Sequence, residues 1–193
     1  MNGRPLVISC GILRREIEYL MDGELPAAET VFLPSQLHFN FEAFEEGLQH
    51  ALEEHTGRGA VVVYGSCHPA IDPSVSHGGC CRVPCQNCVE LLLGPEEFNR
   101  ELEAGAYFLL EEWAMRWDDV LAHTFGDVSI AREIFQADRS HLLAIQTPCS
   151  GDFTREAESA AASVGLPLQF RTIRLDHLKQ CLQQMFSTGS GPA

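Results

Sequence analysis

Cysteine is the residue type in this sequence best placed to do chemistry. Eight occur in 193 residues, at positions 10, 67, 80, 81, 85, 88, 149 and 181. Four of them crowd into nine residues, Cys80-Cys81-Arg82-Val83-Pro84-Cys85-Gln86-Asn87-Cys88. The Cys85-x-x-Cys88 spacing lets two sulfurs converge on one metal ion. A self-contained zinc ribbon is not expected, because its two pairs stand about 12 to 20 residues apart and these nearly touch. The segment should therefore complete a site whose other ligands come from elsewhere in the chain. Cys88 should fall in the first turn of a helix, where the dipole and free amides lower a thiol pKa and favour the thiolate that metals bind.

The elements that would position these thiols alternate between strands and helices. Leu6–Cys10 reads as a buried strand, followed by a helix with Leu13, Ile17, Leu20 and Met21 on one face. Thr30–Leu33 is a second strand, and Asn40 can cap a helix striped by Phe44, Leu48 and Leu52. Ala60–Tyr64 is the clearest buried strand, and a turn-rich loop runs from Ser66 to Pro84. Helical patterns cover 87–93, 95–103, 106–117 and 128–137. Leu142–Gln146 is a fourth strand, Thr154–Val164 a helix, and Leu168–Leu175 a fifth strand. A last helix starts near Asp176. The expected fold is α/β: one domain over 1–186, a three-layer, mostly parallel five-stranded sheet with helices on both faces, and a Cys-rich loop at 66–88. Residues 187–193 read as a disordered tail.

Open parallel sheets bind ligands beyond the carboxyl ends of their strands. Cys10 ends the first strand, His38 follows the second, Cys67 follows the third and Cys149 follows the fourth. The expected metal ligands are Cys10, Cys67, Cys88 and Cys149, with Cys85 as substitute. His38, His68, Cys80 and Cys81 form a second choice, and Glu90 could orient a ligand histidine. Mostly thiolate ligands from scattered positions suit an iron–sulfur cluster, with zinc as the alternative. A free cysteine can also simply fill a core. Cys181, on the apolar stripe of the last helix, is read that way and away from the site.

Composition narrows the classes. Asp plus Glu total 27 against 13 Lys plus Arg, a formal charge of −14. With no basic cluster, nucleic acid and anionic membrane surfaces are not expected partners. No apolar run approaches a membrane span and Met1 to Leu6 does not read as a signal peptide, so a cytoplasmic setting with reduced cysteines is expected. There is no GxGxxG, GxxxxGK or GxSxG motif. His77 reads as a solvated loop residue, and Trp113, Met115 and Trp117 as core. His50, His55, His123, His141 and His177 are assigned no role.

The ISCGIL start, the Leu37-His38 pair, YGSC at 64–67, CVELLLG at 88–94, GAYFLLEEW at 105–113 and AIQT at 144–147 together resemble the domain of unknown function 1638 family over nearly the whole chain. In the family pattern Cys10, Cys67 and Cys88 fall where members carry cysteine, His38 matches the LH pair and Glu90 the acidic position of CxE. YGSCHP replaces the more usual YGxCG, and Cys80, Cys81, Cys85 and Cys149 are additions to the pattern. The resemblance implies an α/β protein of anaerobes whose genes neighbour corrinoid-dependent methyltransferase systems. It therefore points to an accessory or electron-transfer protein with a corrinoid methyltransferase partner. Two alternatives stand beside it. One is a zinc–thiolate enzyme acting on a methylated thiol or amine. The other is a thiol–disulfide oxidoreductase using Cys85 and Cys88, against which three strands precede the CxxC and no aromatic residue precedes it.

Overall fold

The computed structural model describes residues 4–55, 60–69, 71–77 and 80–188, and within them every strand pair is parallel. The chain divides into two compact units. The first comprises residues 1–92 and 175–193, the second residues 93–174.

In the first unit, β1 (Leu6–Cys10), α1 (Arg14–Gly23), β2 (Glu29–Leu33), α2 (Phe41–Glu54) and β3 (Ala60–Val63) follow in order. They lead to α3 (Ile71–His77), β4 (Cys81–Arg82) and α4 (Cys88–Leu93). The strand order is β2-β1-β3-β4. β1 and β3 read as continuous apolar runs because central parallel strands are covered on both faces. Their alternate residues Leu6 and Ile8, Ala60 and Val62 meet Phe44, Leu48 and Ala51 of α2 in one core. Asn40 caps α2 as expected, its side-chain oxygen accepting the Ala43 amide at 3.1 Å.

The second unit holds α5 (Pro95–Glu103), β5 (Ala106–Leu109), α6 (Glu111–Met115), α7 (Trp117–Phe125) and α8 (Val128–Asp138). β6 (His141–Gln146), α9 (Thr154–Val164) and β7 (Leu168–Thr172) complete it. Its sheet has the order β5-β6-β7. Leu142 and Ala144 pack with Trp117, Leu121, Phe135 and the alanines of α9. From β7, Arg171 reaches the carboxylates of Glu97 and Glu101 on α5. α10 (Asp176–Thr188) groups with the first unit, where Lys179 reaches Glu24 at 2.6 Å.

Four sequence expectations are corrected. The strands form two sheets of four and three, not one sheet of five. The reason is Ala106–Leu109: read as the start of a helix, this four-residue apolar run is a strand that pairs with β6. Short apolar runs carry no period that separates strand from helix, and here Gly105, at φ +82, marks the true boundary. The 66–84 stretch is no bare loop, since α3 and β4 lie within it and β4 pairs with β3. Of the 113–117 residues, Trp117 is buried but Met115 is 59% exposed. Finally, α10 runs past the expected start of the tail. Residues 189–193, and the His77 side chain, lie outside what the structure describes.

Candidate functional site

Sheet register brings the first two site residues together. Ile8 pairs with Val62 and Ser9 with Val63. One residue further on, Cys10 and Tyr64 therefore leave adjacent strands on the same face. Cys10, Tyr64 and Cys67 line a narrow pocket with Pro34, Ser35, His38, Phe44 and His68, whose free space is about 10 Å³. That is room for about one water molecule. Tyr64 is only 4% exposed, and its ring meets Phe44 edge-on at 5.2 Å. Its hydroxyl is hydrogen-bonded with Cys10 and sits within electrostatic range of Cys67 and Cys88.

The third thiol is delivered by a backbone contact. A Cβ on Gly65 would stand 2.4 Å from the Asn87 Cα and 2.4 Å from the Gln86 carbonyl oxygen. Only glycine allows the 64–67 turn to lie so close against the 85–88 segment. The Ser66 amide donates to the Cys85 carbonyl at 3.2 Å. Arg82 ties the same parts together: its Nη1 donates to the carbonyls of Tyr64 (3.3 Å), Val83 (3.2 Å) and Cys85 (3.4 Å), and its Nε to Asp72 at 2.7 Å. Asn87 caps α4, accepting from the Val89 and Glu90 amides at 3.0 Å each. Glu90, 8% exposed, reaches back to accept the Gln86 amide at 2.7 Å, closing a reciprocal cap around the CxxC. Glu90 thus braces the segment that carries Cys85 and Cys88.

Electrostatics record how close the thiols lie. Burial first, then the charges of Cys10 and Cys67, push the Cys88 thiol well above the ordinary value. This reverses the expectation of a lowered pKa, because loss of solvent and like-charge neighbours outweigh the helix start. Burial raises Cys67 too, opposed by backbone hydrogen bonds from Cys67 and Gly65 and by Arg82; its thiol donates to the Gly65 carbonyl at 3.7 Å. Cys85 is pushed up to about 12, by burial and then by Glu90, while its thiol donates to the Tyr64 carbonyl at 3.7 Å. His38 is lowered by burial and by His68, which keeps its ring neutral near pH 7.

Cys10, Cys67 and Cys88 are thus brought into one neighbourhood, with His38 and His68 beside the first two. Cys149 follows β6, on the sheet of the second unit, where its amide donates to Thr147 Oγ1 at 3.1 Å. Cys10, His38 and Cys67 lie together at the edge of the first unit's sheet, and Cys149 follows a strand of the other sheet. Cys80 packs partly buried against the first core, and Cys81 is exposed on β4. Among the described residues, no three or more His, Cys, Asp or Glu side chains are gathered closely enough to hold a metal ion. Sequence reasoning missed Tyr64, whose place between the thiols follows from strand register, and Arg82. Cys181, expected in the core of the last helix, is half-buried on α10. That thiol contacts His177 Nε2 at 3.5 Å, is raised by burial and by Glu90, and acts in turn on Cys85. No periodicity within the last helix reports which unit the helix returns to.

Among the described residues, no helix is long and apolar enough to cross a membrane. In comparisons with known proteins, a family model described as Protein of unknown function (DUF1638) matches residues 32–182. No curated protein and no solved structure matches the chain.

Proposed function

The chain belongs to the DUF1638 family, and from that premise we propose that it is a thiolate-ligated iron–sulfur protein whose ligands are Cys10, Cys67 and Cys88. The observation that carries this reading is that three thiols, from the ends of β1 and β3 and the start of α4, lie within electrostatic range of one another. Cys85 stands next to them as a substitute. Burial penalises the Cys67 thiolate, and burial with the charges of Cys10 and Cys67 penalises the Cys88 thiolate, a penalty that a bound cationic centre reverses. A mostly thiolate donor set favours a cluster, in which each cysteine holds a different iron. Such a group supplies one-electron chemistry when bound. The protein's own contribution is to fix the sulfurs through Gly65 and Arg82, to direct the Tyr64 hydroxyl at Cys10, and to limit water to a pocket of about one molecule.

Zinc is the second reading, and the neutral His38 beside Cys10 and Cys67 favours it, since three thiolates and one imidazole make a common zinc set. A zinc site here would serve thiolate–zinc catalysis on a methylated thiol or amine. Cys85–Cys88 redox catalysis is disfavoured, because both thiols are raised and reactive cysteines are lowered. Following the resemblance, the cellular role we propose is that of an accessory or electron-transfer protein of anaerobic, cytoplasmic one-carbon metabolism with a corrinoid methyltransferase partner. The test is metal and sulfide analysis with an absorption spectrum on protein purified without oxygen. A brown protein with iron and acid-labile sulfide in similar amounts is expected. A colourless protein with one zinc per chain selects the second reading, and neither metal overturns both.

A further inference from the structure

Beside the thiol pocket the first unit exposes aromatic surface. Phe41, the first residue of α2, is 58% exposed, and Phe39 is 37% exposed. Phe41 stands edge-on to His68 at 4.8 Å, and His68 lines the pocket with Cys10 and Cys67. The buried Phe44 lies tilted against the same imidazole, with ring centroids 4.5 Å apart. An exposed ring two side chains from the proposed ligands is therefore the outward face of the site.

The carboxylates of the helix that Phe41 opens give it an acidic flank. α2 carries Glu42, Glu45, Glu46, Glu53 and Glu54 and no lysine or arginine. Glu45 lies one turn on from Phe41 along the same ridge. Glu42, Glu46 and Glu53 share the exposed arc opposite the buried Phe44, Leu48 and Ala51. An apolar centre with an acidic flank is the arrangement that steers and seats a partner of the opposite sign.

We propose that the face formed by Phe39, Phe41 and the glutamates of α2 is the docking surface for a partner protein presenting an apolar patch ringed by lysine and arginine. The inference deepens the proposed function by naming the chemistry of the partner that would meet the thiol site. The aromatic centre supplies the desolvated anchor, and the glutamates supply steering and register.

Cytochrome c, a basic protein whose lysines ring an exposed apolar edge, serves as the probe, and its binding to the full chain is measured by calorimetry at low and at physiological salt. Micromolar binding that weakens about tenfold or more across that range is expected. Phe41→Ala should weaken it about fivefold or more, as truncation of an anchor does. The triple variant Glu42→Gln, Glu45→Gln, Glu46→Gln should weaken it about tenfold. A control triple with the same net charge, Glu103→Gln, Glu133→Gln, Glu158→Gln in the second unit, should bind as the parent does. Absence of binding overturns the proposal, as does an equal loss in the control triple or indifference to Phe41→Ala. Because binding is read on protein with and without metal, iron-loaded chains that fail to bind reject this surface alone. Chains that take up no iron on reconstitution yet bind normally reject only the cluster.

Discussion

Gly65→Ala is the sharpest perturbation of the thiol site. The added Cβ would lie 2.4 Å from both the Asn87 Cα and the Gln86 carbonyl oxygen and 2.5 Å from the Asn87 nitrogen. Unstrained contacts need about 3.5–4.0 Å, so one chain must retreat by about 1 Å. Every atom met is backbone, so no side chain can rotate away. Inserting one carbon into a packed region costs about 1–3 kcal/mol, and the upper end applies here. For a chain of this size about 3 kcal/mol lowers Tm by roughly 6–12 °C. The retreat also opens the Ser66–Cys85 hydrogen bond and moves Cys67 away from Cys88. Iron content after anaerobic reconstitution should therefore fall together with stability. Calorimetry and iron analysis on metal-free and reconstituted protein read the two effects separately. Gly23→Ala is the control. Its Cβ would meet nothing within 4 Å, and in a helix it should leave stability unchanged or raise it by up to about 1 kcal/mol. A Gly65→Ala protein that melts within about 2 °C of the parent and loads iron fully would refute the reasoning.

Four further outcomes follow from the electrostatics and burial of the site. The metal-free chain should lose stability as pH rises above about 9: the folded thiols Cys67, Cys85 and Cys88 are raised, so the unfolded chain releases its protons first, and for Cys85 the loss extends to about 12. Urea titrations across this range check it, and a flat profile counts against the raised values. Metal affinity should move oppositely, rising with pH because each thiol must give up its proton to bind. Tyr64→Phe removes a buried hydroxyl hydrogen-bonded with Cys10, and should cost about 1 kcal/mol while keeping the iron and lowering its midpoint potential; an unchanged potential would remove Tyr64 from the site. In timed alkylation of the metal-free protein read by mass spectrometry, exposed Cys81 should react before Cys85 and Cys88. The reverse order would mean the CxxC is open.

The parts of this protein readable from sequence are those where local pattern and burial agree. The runs at 6–10 and 60–63 name themselves as central strands because they are apolar without alternation, and Asn40 names its helix because its side chain caps three residues on. Cys10 and Cys67 could be placed at one edge because Cys10 ends such a strand and Cys67 follows the other by a four-residue step. What could not be read depends on pairing between distant segments. Ala106–Leu109 becomes a strand by lying along His141–Ala144, and that pairing separates Cys149 from the sheet that holds Cys10. The two-residue strand at Cys81–Arg82 is too short for any pattern and is fixed by Val61 and Val62. Cys181 comes to act on Cys85 through a helix returning from the far end of the chain.

The most direct test of the central claim is iron and acid-labile sulfide per chain after anaerobic reconstitution of five single variants. Cys10→Ser, Cys67→Ser and Cys88→Ser should each lose the cluster, while Cys149→Ser and Cys181→Ser keep it at the parental level. Equal metal content in all five, or a loss confined to Cys149→Ser, would contradict a site built from the three thiols of the first unit.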